Sequence, residues 1–95
     1  MTKAEVVAQI AHKTGISQSD IKLTIELFLQ TIQQTMAEGE SVHFRGFGSF
    51  VNKKKARKIA RNINQNTALI IEAHYAPSFV PAPAFIEQIK EHVKP

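Results

Sequence analysis

The 95-residue chain has no cysteine. That excludes a disulfide framework, thiol chemistry and a cysteine-based zinc site. No apolar run approaches the ~20 residues that a membrane-spanning helix needs. Met1-Thr2-Lys3-Ala4-Glu5 lacks the apolar core of a signal peptide, so a cytoplasmic protein with no membrane partner is expected. There is no internal repeat and no low-complexity linker. A glycine-rich phosphate loop and a carboxylate pair are both absent. His12, His43, His74 and His92 are scattered without ligand spacing, and Ser17, Ser19 and Asp20 sit where a helix begins and read as caps. The expectation is a chain that is not an enzyme and that takes no metal, cofactor or small-molecule substrate.

The most informative absence is of acid. Residues 41–71 contain no Asp or Glu but hold Arg45, Lys53, Lys54, Lys55, Arg57, Lys58 and Arg61. Residues 1–40 and 72–95 are each slightly acidic, so one segment supplies the whole positive excess of a chain with net charge +4. A field so localised implies a polyanionic partner. The flanks of the run argue against a disordered basic tail. Val42, Phe44, Phe47, Phe50 and Val51 before it, and Leu69-Ile70-Ile71 after it, have strand chemistry, with the polar Asn62-Ile63-Asn64-Gln65-Asn66 between. Strand, polar tip and returning strand make a β-ribbon. At about 3.3 Å per residue, nine or ten residues a side reach roughly 30 Å. Such an arm is too long and polar to pack on a small core, and an isolated hairpin is marginal in water. It is expected to order on its ligand.

The remainder reads as helix, helix, three strands with the arm, and helix. Thr2 and Glu5 form a capping box for a helix ending near Thr14, with Val6, Val7, Ile10 and Ala11 as its apolar stripe and Gly15 as a left-handed cap. Ser17 and Asp20 open a second helix, in which Ile21, Ile25, Phe28, Leu29, Ile32 and Met36 recur until Gly39. Leu23 and Leu27 lie partly off that stripe, which suggests burial on two sides, the second by a partner subunit. Gly46-Phe47-Gly48 reads as a tight turn between strands. Pro77, Pro81 and Pro83 exclude a central strand or a helix interior, and Pro83 suits the first turn of a last helix with Phe85, Ile86, Ile89 and Val93 inward. Phe28, Phe44, Phe47, Phe50 and Phe79 are assigned to a dimer core. No aromatic interrupts the basic run, as a base-stacking platform would require.

With these residues in view, the sequence resembles the bacterial histone-like HU/IHF family over nearly its whole length, from Lys3 to about Lys90. Gly46-Phe47-Gly48-Ser49-Phe50 is similar to the family's G-F-G-x-F. Arg61-Asn62-Ile63-Asn64-Gln65 falls at the family's arm-tip R-N-P, and Pro77 and Phe79 at the entry to its last saddle segment. The resemblance implies an α+β fold and an intertwined dimer, with a helical base, a β-sheet saddle and two ribbon arms that enter the minor groove. It implies one domain over 1–95: a dimerisation base in 1–40, a saddle in 41–80 with the arm at about 53–75, and a C-terminal helix in 81–95. Lys53, Lys55, Lys58 and Arg61 fall on basic arm positions, Asn62 on the arm-tip Asn, and Lys3 on a saddle-flank Lys. Lys54, Arg57, Asn64, Gln65 and His74 complete the expected DNA-binding set. Ile63 replaces the Pro that wedges between base pairs and is assigned that intercalating role. Asn66 replaces the turn Gly, and Ala82-Pro83 replace a Gly-Lys, which removes one basic saddle contact.

The implied function is largely sequence-independent binding, bending and compaction of double-stranded DNA by a nucleoid-associated homodimer, with bent or nicked DNA preferred. Two readings compete with it. One is a site-specific IHF-like factor or heterodimer subunit, because indirect readout is written in DNA shape. The other is a basic module for RNA or an acidic protein.

Overall fold

A computed structural model describes residues 1–62 and 64–95. They comprise α1 (Lys3–Thr14), α2 (Gln18–Ala37), β1 (Val42–Phe44), β2 (Gly48–Lys55), β3 (Lys58–Asn62), β4 (Thr67–Ile71), β5 (His74–Pro81) and α3 (Pro83–His92). The chain divides into two units, Met1–Gln34 and Thr35–Pro95, with the boundary near the end of α2. The class is α+β with antiparallel strands, as the sequence implies.

In the first unit the caps explain where the helices begin and end. Thr2 Oγ1 accepts the Glu5 N–H at 3.3 Å and donates to Glu5 Oε1 at 3.2 Å. The box thus closes between the two side chains. Gly15 ends α1 at φ 75°, its N–H bonded to the Ala11 carbonyl. Ser17 Oγ accepts the Asp20 N–H and caps α2. Val7, Ile21 and Ile32 are buried. Leu23, Leu27, Phe28 and Leu29 stay roughly half exposed on α2. Phe28 and Leu29, which periodicity puts in the apolar stripe, are therefore only half covered, flanking the buried Ile21 and Ile32.

The second unit begins with the last turn of α2, where Met36 is buried. The turn after β1 runs from Phe44 to Phe47, closed by the Phe47 N–H on the Phe44 carbonyl at 3.0 Å, with Gly46 at φ 80°. It lies two residues before the expected Gly46-Phe47-Gly48, because Gly48 already pairs with Phe44. The sheet has the order β1-β2-β5. β5 is an edge strand, so Pro77 and Pro81 fit within it although they lack an N–H. Pro83 lies in the first turn of α3. One aromatic cluster joins sheet and helix: Phe79 lies 5.0 Å from Phe50 and 5.2 Å from Phe47, Phe47 lies 5.3 Å from Phe85, and Phe44 meets Phe50 edge-on at 6.3 Å. Phe85, expected only as part of a helix face, belongs to this cluster. Gly48 is the close approach that allows it, since a Cβ there would lie 2.6 Å from the Phe79 ring.

Candidate nucleic-acid interface

The arm is built as two ladders in one register. β2 pairs with β5 from Gly48↔Pro81 to Lys55↔His74, and β3 pairs with β4 from Lys58↔Ile71 to Asn62↔Thr67. Between them Ala56-Arg57 faces Glu72-Ala73 outside strand pairing. The sequence predicts one long ribbon; among the described residues pairing is interrupted at 56–57 and 72–73 without a bulge, since two residues are passed on each side. Asn62 Oδ1 accepts the Asn64 N–H at 3.1 Å near the tip, and Asn66 is left-handed at φ 51°. Asn tolerates that region better than most residues. Gln65 is exposed. The proposed wedge, Ile63, lies outside the described residues.

The ribbon's charge is strand-specific. Lys53, Lys54, Lys55, Arg57, Lys58 and Arg61 all lie on the outgoing side and all are exposed. Opposite them, in register, stand Ala76, Tyr75, His74, Glu72, Ile71 and Ala68. Opposed residues share a face, and successive residues alternate faces. Lys53, Lys55 and Arg61 therefore carry the parity of one face, Lys54 and Lys58 that of the other. Ile59, Leu69, Ile70 and Ile71 are also exposed along the outer ladder. The arm thus presents cations interleaved with aliphatic side chains, a pattern the net charge of the segment conceals.

His74 Nδ1 shares a 2.9 Å hydrogen bond with the Glu72 backbone carbonyl. Asn52 Nδ2 donates to the Met36 carbonyl at 3.0 Å, tying the root of the arm to the end of α2. Lys3 belongs to the first unit, where its Nζ bonds Glu26 Oε1 at 2.9 Å. That hydrogen bond and the Lys3 charge hold the Glu26 carboxyl below the usual carboxylate range. Among the described residues there is no group of three or more His, Asp or Glu side chains placed to hold a metal, and no helix is long and apolar enough to cross a membrane.

The sequence model of the bacterial DNA-binding protein family matches residues 1–90. The DNA-binding protein HU of Thermotoga maritima is 36% identical over 90 residues, covering 95% of this chain and 100% of its own. The integration host factor subunit beta of Marinobacter nauticus is 34% identical over 95 residues, covering 99% and 97%. Among solved structures, a cocrystal of Anabaena HU with DNA superposes with a TM-score of 0.89 at 28% identity, over 95% of this chain and 98% of that one.

Proposed function

The chain belongs to the bacterial DNA-binding protein family, and from that premise we propose that it is an HU-like architectural protein. In this reading it acts as a homodimer that lays its arms along the minor groove of double-stranded DNA and bends it, within the nucleoid of the cytoplasm. The observation that carries the reading is the six exposed cations in line on the outgoing side of the ribbon. Lys53, Lys54, Lys55, Lys58 and Arg61 are the cations offered to phosphates, about half of them engaged at once, and release of condensed counterions drives association whatever the base sequence. Asn62, Asn64 and Gln65 at the tip offer amide groups to the groove, and His74 beside Lys55 adds a donor.

Ile63 serves as the wedge. It is the only apolar residue among Asn62, Asn64, Gln65 and Asn66, and apolar side chains kink DNA by partly unstacking a base step. Dimerisation is supported by the half-exposed Leu23, Leu27 and Leu29 of α2 and by the partly exposed Phe47 and Phe79 of the ring cluster. The whole chain then works as one domain, with the helical base joining protomers and the sheet presenting the arms. Lys3 approaches DNA only if it leaves Glu26.

Energy transfer between the labelled ends of a duplex tests this reading. The protein should bring the ends closer on intact and, more strongly, on nicked DNA, with little dependence on sequence. Ile63→Ala should reduce the bend while leaving the salt dependence of binding unchanged. A parent protein that binds matched RNA duplex better than DNA, or binds DNA without bending it, would refute it. A site-specific factor would instead show one sequence bound far above the rest.

A further inference from the structure

Glu72 is the only acidic residue between Glu40 and Glu87. It stands across the ribbon from Arg57, and their side chains pair, Arg57 Nε to Glu72 Oε1, at 3.8 Å. The pair occupies the interruption between the two ladders, where neither Ala56-Arg57 nor Glu72-Ala73 is in a strand. On the face they share, the register puts Lys55 and His74 on one side of them and Ile59 and Ile70 on the other. The Glu72 carbonyl is engaged by His74. We propose that the Glu72 carboxylate is a built-in stand-in for phosphate, which keeps Arg57 off the bound polyanion and so limits the arm's affinity. The inference rests on the nucleic-acid reading above and names a residue that attenuates it.

A cation held by a carboxylate across the ribbon carries no phosphate in exchange and releases no counterion. Both side chains are well exposed, at 60% and 76%. A pair like this adds little to folding, so its effect falls on binding. The arm then offers DNA five cations, not six, and exchanges between sites more readily than its composition suggests.

The test is a double-mutant cycle on the full-length protein: parent, Glu72→Gln, Arg57→Gln and the double variant, each titrated with one duplex across a salt series. Glu72→Gln should bind more tightly, on the order of tenfold near 0.1 M salt, with log affinity falling more steeply against log salt by about 0.9 per arm. Arg57→Gln should change the slope little when Glu72 is present, and should remove the full gain in the Glu72→Gln background. Thermal midpoints of all four should agree, because the substitutions are exposed and polar.

An unchanged affinity and slope in Glu72→Gln, or equal losses from Arg57→Gln in both backgrounds, overturns the proposal. Elution from immobilised heparin keeps the question separate from the DNA reading. If the parent fails to bind DNA, that reading falls. Glu72→Gln must still elute at higher salt than the parent for the pairing argument to stand.

Discussion

Replacing Gly48 by alanine tests the aromatic cluster that roots the arm. The added methyl would lie 2.6 Å from Phe79 Cζ, 2.6 Å from the Val80 carbonyl oxygen and 2.7 Å from Phe79 Cε1. Comfortable carbon contacts need about 3.5–4.0 Å, so the ring and the strand must each retreat by roughly 1 Å. Neither is free to do so. Phe79 is held by Phe47, Phe50 and Phe85, and Val80 is paired to Ser49 in the ladder. Overpacking of this kind costs about 1–3 kcal/mol. The φ of +156° at Gly48 adds about 1 kcal/mol more for a residue with a side chain. For a domain of this size each kcal/mol lowers the thermal midpoint by about 4–8 °C. Gly48→Ala should therefore melt about 10–30 °C below the parent by circular dichroism at matched protein concentration. Combining it with Phe79→Leu should cost less than the sum of the two single changes, since both act on the same crowding. A midpoint within about 2 °C of the parent would refute the packing argument.

Three further outcomes follow from individual contacts. Lys3→Met should return the Glu26 carboxyl to the ordinary carboxylate range, measured by NMR titration. Glu26's folded pKa is depressed, so its contribution to stability is present above the unfolded pKa and is lost as pH falls through the folded one. The variant should lose that acid-side dependence. Asn52→Ala removes the bond to the Met36 carbonyl and should lower stability to denaturant by about 1 kcal/mol. Asn66→Val puts a β-branched residue in a left-handed site and should destabilise the arm tip by about 1–2 kcal/mol. This would be seen as faster amide exchange in β3 and β4, with the global thermal midpoint unchanged.

Much of the architecture is legible in the sequence because local rules agree. Thr2, Gly15 and Ser17 mark helix ends by side-chain chemistry that acts within three or four residues. Pro77, Pro81 and Pro83 mark an edge strand and a helix start by the N–H they lack. The basic run is visible because charge adds regardless of conformation. What was hidden depends on pairing between distant residues. Alternation along β2 cannot say that Lys53 faces Ala76 or that Arg57 faces Glu72, because register is set by the whole hairpin. The acid-free stretch ends at Ile71, one residue before Glu72, which lies across the ribbon from Arg57. Phe85 looked like one apolar residue of a helix face until the sheet brought Phe47 and Phe79 to it. The exposed sides of Phe28 and Leu29 were equally invisible, since helical periodicity identifies a stripe and not which part of it the same chain covers.

Exchange of the ribbon's cations with phosphates carries the proposed function. Equilibrium binding of the full-length protein to one duplex, repeated over a series of salt concentrations, tests it directly. If about half of the arm cations of a dimer each neutralise a phosphate, log affinity should fall against log salt with a slope of about −5, at ~0.9 per phosphate, and an unrelated duplex sequence should give the same line. A slope near zero would contradict the account and make the basic ribbon a bystander.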